Sequence, residues 1–304
     1  MNIGEWIHRV AAELESAPLF YGHGTDNPHD EAAWLVLHAA GIAPDGSFTD
    51  WSRLLTPEQE KRVQQTVKTR ITSRMPLAYI LGTAWFAGLE FEVDRSVLVP
   101  RSPIAELILE DFVPWLKKSP DQRALDLCTG CGCIGIAMAA HMPWLRVDVA
   151  DISAEALDVA QRNVRRHAVE SRVRLFLSDL YNEIPPQTYD LVVANPPYVP
   201  VSALPDLPGE YLAEPELGLT SGRDGLDACL RIMLQSPAYM SGGASLVCEV
   251  GASAQLLAEK LPAVPFLWLE FSHGGSGVFV LSRQELVKSS AAIMNVLEEH
   301  GHVG

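Results

Sequence analysis

The sequence predicts an α/β chain. A mostly parallel, doubly wound sheet of seven strands is preceded by a small helical domain and joined to it by a β-hairpin. From residue 124 onward, short β-branched runs alternate with amphipathic helical patterns, as βαβ units do. The first run leads into Asp126-Leu127-Cys128-Thr129-Gly130-Cys131-Gly132-Cys133-Ile134-Gly135, a Gly-x-Gly-x-x-Gly turn between strand and helix. Residues 1–83, by contrast, carry only helical periodicity.

In chain order, Ile3, Trp6, Ile7, Val10, Ala11 and Leu14 recur on one face of a first helix. The turn-rich stretch Tyr21-Gly22-His23-Gly24-Thr25-Asp26-Asn27-Pro28 follows, and Asp30 is placed to cap a second helix ending near Gly41. Thr56 and Gln59 form a capping box, with Pro57 at the first position of a third helix. That helix carries Lys61, Arg62, Lys68, Arg70 and Arg74, and stops at Pro76. Its basic residues read either as a solvated face or as a contact for RNA or an acidic surface. Residues 1–83 are expected to form a helical substrate-recognition domain. In 84–100, Phe86, Phe91, Val93, Val97 and Val99 alternate with polar residues around Gly88, which predicts a β-hairpin linker. A helix with Glu106, Leu107 and Ile108 opens the large domain, 101–304. Its strands are expected at 124–128, 146–151, 173–177, 191–194, 244–250, 266–271 and 278–281, with helices at 153–167 and 226–239. The turn His273-Gly274-Gly275-Ser276-Gly277 predicts a terminal antiparallel hairpin at the sheet edge. Residues 289–304 read as a weak helix and polar tail.

With 304 residues, 48% hydrophobic and 20% charged, the chain can build a large core. No apolar run reaches the ~18 residues of a membrane span. The charged start lacks the apolar centre of a signal peptide, so a soluble cytoplasmic protein is expected. The net charge of -15 disfavours an extended phosphate-binding surface and suits a basic protein partner. Five cysteines favour reduced thiols over disulfides. Cys128, Cys131 and Cys133 lack a fourth ligand, and His23, His29, His38 and His141 lack ligand spacing, so no metal is expected. Cys131, predicted at a helix N-terminus, is expected as a reactive thiol.

Three carboxylates sit at predicted strand ends. Asp126 would meet an ammonium group better than a pyrophosphate. Asp151 is either an acceptor for ribose hydroxyls or a cap for the next helix, a job Ser153 can also do. Asp179 is placed either to take an adenine amino group or to shape a turn. An amino acid, a ribose and an adenine in that order describe S-adenosylmethionine. The fourth strand is stopped by Asn195-Pro196-Pro197-Tyr198, since neither proline donates a ladder hydrogen bond. Asn195 Oδ1 and the Pro196 carbonyl can accept the two hydrogens of a flat NH₂ group. Tyr198 can stack on a planar amide or lean toward a cationic methyl group. The set suits holding a conjugated amino nitrogen against an electrophile; the plainer reading is a strand-ending Asn-Pro turn.

Together these residues resemble the class I S-adenosylmethionine-dependent methyltransferases that modify planar amino nitrogens. Pro100-Arg101, the 86–99 hairpin and the helical front domain narrow the resemblance to the protein-(glutamine-N5) methyltransferases of the HemK/PrmC and PrmB group. So do Glu214-Pro215-Glu216-Leu217-Gly218-Leu219 and Ser221-Gly222-Arg223-Asp224-Gly225-Leu226. The resemblance covers essentially the whole chain. The 21–28 turn, Arg101-Ser102-Pro103-Ile104 and Trp268-Leu269-Glu270-Phe271 look like the PrmB branch, whereas the release-factor branch usually reads Pro-Asp-Thr after the arginine. Cys128 and Cys131 depart from the usual Gly and Ser.

The resemblance implies a Rossmann-like sheet and S-adenosylmethionine held by Asp126, Cys128, Thr129, Gly130, Gly132, Asp151, Asp179 and Asn195, with S-adenosylhomocysteine as product. It implies Asn195, Pro196 and Tyr198 as catalytic residues, and the same three with Pro197 and Arg101 as substrate contacts. The implied substrate is a glutamine in large-subunit ribosomal protein number three, free or in an assembling particle. Neither membrane nor stable DNA binding is expected, and any RNA contact would use the basic helix 57–74. Three alternatives stay open: methylation of peptide-chain release factors, methylation of adenine amino groups in DNA or RNA, and a non-catalytic sensor of the same cofactor. The acidic charge counts against the nucleic-acid reading.

Overall fold

The first helix begins where the sequence supplies a cap. Asn2 Oδ1 accepts the Glu5 N–H at 2.8 Å, and Glu5 reaches back to the Asn2 N–H at 3.0 Å. This reciprocal box satisfies two donors left open at a helix start. The protein is described by a computed structural model over residues 1–44 and 46–299. Helix α1, Ile3–Glu15, buries Ile3, Trp6, Ile7, Val10 and Leu14, the predicted face without Ala11. Helix α2, Pro28–Ala40, is capped by Asn27 rather than Asp30, because Pro28 lacks an N–H and fits the first helical position. Helix α3, Pro57–Ser73, starts at the expected Thr56–Gln59 capping box. A short helix α4, Leu77–Leu81, leads to an antiparallel hairpin of β1, Thr83–Phe86, and β2, Leu89–Glu92. Its turn residues Ala87 and Gly88 both have positive φ, the twist a two-residue hairpin needs.

The chain divides into two compact units whose boundaries differ from the expected 1–83, 84–100 and 101–304. The first holds residues 1–95, 99–101 and 207–214, so the hairpin and Arg101 belong with the helices. Residues 207–214 bring in Glu210 and Glu214, whose side chains are completely buried. Glu210 meets Arg70 and Arg74, and Glu214 meets Arg101. A buried guanidinium requires a counter-charge, and a distant stretch of chain supplies it.

The second unit is the α/β domain. It contains α5 (Ile104–Leu109), β3 (Arg123–Leu127), α6 (Cys133–His141), β4 (Arg146–Asp151), α7 (Ala154–Arg166), β5 (Val173–Leu177) and β6 (Tyr189–Ala194). There follow α8 (Glu216–Leu219), α9 (Asp227–Tyr239), β7 (Met240–Glu249), α10 (Ala254–Lys260), β8 (Leu267–Trp268), β9 (Val278–Ser282) and α11 (Arg283–Glu299). The seven strands order as β5-β4-β3-β6-β7-β9-β8, all parallel except for the antiparallel β9 pairings. The central runs, including Leu125, Leu127, Val147, Val149, Val192 and Leu246, are wholly buried, each stabilising the fold by roughly 1.5–3 kcal/mol. The terminal hairpin exists, but β9 lies inside the sheet and β8 has only two residues. Beyond that pairing, Phe266 and Trp268 are held by ring packing on Phe279, at 5.0 and 5.6 Å. The supposed weak terminal helix is α11, which starts earlier and buries Leu286, Ile293, Val296 and Leu297. Residues 300–304 of the expected tail lie outside the described residues.

Candidate active site

Sheet register sets the site. Leu127 pairs with Ala150 on one side and Ala194 on the other, and Ala194 pairs with Cys248. One residue further on, Asp151, Cys128, Asn195 and Glu249 form a row across the carboxyl ends of β4, β3, β6 and β7. Strand order reverses between β3 and β6, the switch point where open α/β sheets place ligands.

The glycine loop turns sharply at the end of β3. Cys128, Gly130 and Gly132 have φ of 56, 57 and 84°. The last glycine, Gly135, lets α6 lie directly on the sheet: a Cβ there would come 2.3 Å from Val149 Cγ1. Asp126 is fully buried beneath the loop. Its Oδ2 accepts the Thr129 hydroxyl at 2.5 Å and the Gly135 N–H at 2.9 Å. Its Oδ1 is buried with no hydrogen-bond partner among the described residues. Burial, only partly offset by those two donors, pushes the Asp126 carboxyl up to about 7. An orphaned buried acceptor is what a ligand ammonium group would satisfy.

Asp151 accepts the Gly130 N–H at 2.8 Å and the Ser153 N–H at 3.0 Å. Ser153, not Asp151, caps α7 through the Ala156 N–H, which leaves Asp151 as the anchor of the glycine loop. Burial raises its carboxyl above the usual range. Asp179 is paired at 2.7 Å with Arg231 of α9. That partner was missed, because 52 residues separate the two and no local pattern joins them.

Asn195 is half-buried, and its side-chain amide makes no hydrogen bond among the described residues. Pro196 is buried, while Pro197 and Tyr198 are half-buried. The Tyr198 carbonyl accepts the Ser253 hydroxyl at 2.9 Å. A Cβ at Gly225 would lie 2.1 Å from that carbonyl oxygen, and one at Gly251 would lie 2.6 Å from the Tyr198 ring. The Ser221–Leu226 stretch, which sequence reading could use only as a likeness, thus has a physical task.

Other expected positions are placed differently. Arg101 puts two nitrogens on Glu214, at 2.6 and 2.8 Å, and its guanidinium lies over the Tyr211 ring at 5.4 Å. The fork proposed for substrate is filled by an internal carboxylate. Burial works against ionisation of Glu214, but the neighbouring His23 ring and Arg101 guanidinium outweigh it and hold the group down to about 2. In α3, Arg70 is buried against Glu31 at 2.7 Å and Glu210 at 3.4 Å, and Arg74 pairs with Glu210 at 2.8 Å. Only Lys61, Arg62 and Lys68 of the five basic residues are exposed and outside these pairs, a thin basis for an RNA surface. Cys131 is buried, contrary to the expected reactive thiol, and its carbonyl holds the buried Asn163 amide at 2.9 Å. Gly132 occupies the cap position of α6 instead. The Cys128 thiol is pushed well up by burial, and the Cys133 thiol by its hydrogen bond with Cys131 and by burial.

Comparisons with known proteins identify the chain's relatives. The family described as Methyltransferase small domain matches residues 108–206, and the PrmC N-terminal domain matches residues 5–82. A protein of Francisella tularensis subsp. tularensis (strain SCHU S4 / Schu 4), named ribosomal protein uL3 glutamine methyltransferase, is 44% identical over 98% of this chain and 95% of its own length. One of the same name from Xylella fastidiosa (strain Temecula1 / ATCC 700964) is 47% identical over 94% of this chain and 91% of its own. The crystal structure of the hMettl16 catalytic domain in complex with MAT2A 3'UTR hairpin 1 has a TM-score of 0.53, at 16% identity over 81% of this chain and 90% of that one. That likeness shows a shared fold.

Proposed function

This chain belongs to the ribosomal protein uL3 glutamine methyltransferase family, and we propose that it methylates the side-chain amide nitrogen of a glutamine in that large-subunit ribosomal protein. Its methyl donor is S-adenosylmethionine, which brings a methyl group already activated on a sulfonium. The glycine cradle and the orphaned Asp126 Oδ1 fit the amino-acid end of that donor. Asp151 at the end of β4, and Asp179 just past β5 and paired with Arg231, are the acceptors proposed for its ribose and adenine. The observation that carries the reading is the row of strand ends, which sets the unengaged Asn195 amide beside the glycine loop.

A glutamine amide nitrogen is a poor nucleophile because its lone pair is delocalised into the carbonyl. Asn195 Oδ1 and the Pro196 carbonyl accept the two amide hydrogens and aim the nitrogen, while Tyr198 packs on the amide face. Orientation and preorganised acceptors supply the rate. The proton leaves after transfer, so no strong base is needed. Action on a ribosomal protein supports a cytoplasmic location. Methylation of the free ribosomal protein or of an early large-subunit particle is tested with labelled donor and mapping of the labelled residue. Label on glutamine, lost by about 10²–10³ in rate in Asn195→Ala with much of the donor affinity kept, is the expected result. Label lost on nuclease treatment would overturn it.

A further inference from the structure

We infer that Glu249 is a positioning residue for Tyr198, fixing the rotation of the ring that packs on the substrate amide; this rests on the proposed function. Register places Glu249 beside Asn195 at the end of β7. Its side chain is only 5% exposed, and a buried carboxylate is costly unless it has partners. Two of its partners are hydroxyls. Ser102 donates to Oε2 at 2.5 Å, and is itself fixed by the Ile104 N–H at 3.2 Å. The Tyr198 hydroxyl donates to Oε1 at 3.5 Å, the long end of hydrogen bonding and of the kind that tightens when substrate fills a site.

The rest of Tyr198 is already confined. Gly251 removes a side chain from beneath the ring, and Gly225 removes one from beneath the carbonyl, which Ser253 holds. Backbone and ring face are thereby set, and the hydroxyl is the lever that remains. Glu249 holds that lever from the strand neighbouring Asn195. The two acceptors of the amide hydrogens and the ring packed on its face are then braced by adjacent strand ends.

The test is a double-mutant cycle on kcat and KM for the ribosomal protein, with donor affinity measured by calorimetry. Glu249→Gln keeps the shape of the buried group, and Tyr198→Phe keeps the ring. Each is expected to lower kcat about tenfold with KM and donor affinity within about twofold, and the double variant to be no worse than the poorer single one. A purely structural Glu249 would give losses that multiply, or a loss shared by donor binding, and either overturns the inference. Should Glu249→Gln fail to fold, Ser102→Ala replaces it: a loss in kcat that vanishes in the Tyr198→Phe background supports the coupling, and one that persists refutes it. A parent enzyme that leaves the ribosomal protein unlabelled overturns the proposed function and this inference with it. A labelling parent with multiplicative losses overturns the inference alone.

Discussion

Arg101 binds both carboxylate oxygens of Glu214, at 2.6 and 2.8 Å, and the Glu214 side chain has no exposed surface. Glu214 also accepts the Val99 N–H at 3.0 Å and lies 3.4 Å from His23 Nε2. Arg101→Ala would strand a buried charge, which commonly costs about 3–5 kcal/mol. The expected outcome is a lower melting temperature with KM for substrate nearly unchanged in the folded fraction. A raised KM at unchanged melting temperature would restore Arg101 as a substrate contact.

The same carboxylate gives the first unit an acid limit. Glu214 is held down to about 2 from an ordinary value of 4.5, so the folded state binds its proton less readily than the unfolded chain. Its stabilising contribution is complete above pH 4.5 and is lost as pH falls toward 2. Glu214→Gln is expected to flatten the stability curve over that window, as followed by fluorescence of the buried Trp6 and Trp34 during acid titration.

Asp126 behaves in the opposite sense. Its folded value, pushed up to about 7 from 3.8, means that the free protein is stabilised by this group at low pH and loses that contribution as pH rises through 7. A donor ammonium group meeting Oδ1 would favour the ionised form, so binding near pH 6 should release a proton. Calorimetry in two buffers of different ionisation enthalpy is expected to show this release, and Asp126→Asn to abolish it.

Much of this was legible in sequence for a simple reason: strand ends, glycine turns and caps are local. The Thr56–Gln59 box, the parallel strand runs and the Gly130–Gly135 loop each announce themselves within a few residues. The ion pairs did not. Glu210 and Glu214 lie more than a hundred residues from Arg70, Arg74 and Arg101, so Arg70 and Arg74 read as part of a basic helix and Arg101 as a substrate contact, whereas the fold pairs all three internally. Glu249 and Arg231 were overlooked for the same reason. The misjudged Cys131 is of another kind. It lies near a helix start, but it is buried, which periodicity does not report in a loop, and burial keeps reagents from the thiol.

Thiol chemistry should reflect that burial. Cys131 is 2% exposed, and the Cys128 and Cys133 thiols are pushed up rather than down. Alkylation of the native protein at neutral pH is expected to be slow at all three positions, and rapid only after denaturation. Fast native labelling of Cys131, mapped by mass spectrometry, would contradict this.

Choice between the ribosomal protein and release factors cannot come from the Asn195–Tyr198 slot, since both offer a glutamine amide. It must come from contacts that differ between the two partners. The first unit carries the 21–28 turn on which the resemblance to the ribosomal-protein branch partly rests, and the net charge of -15 would raise the encounter rate with a basic partner at low salt. Exchanging residues 1–83 alone for those of a release-factor enzyme would take away Arg70 and Arg74 while leaving Glu210 behind. That chimaera is expected to be unstable and uninformative about specificity. Exchanging 1–101 together with 207–214 keeps each buried ion pair within one donor sequence. This second chimaera is expected to fold and to shift labelling from the ribosomal protein toward release factors, measured with both purified substrates in competition. A folded chimaera with the parental preference would place specificity in the α/β unit, and equal labelling of both substrates by the parent would remove the preference altogether.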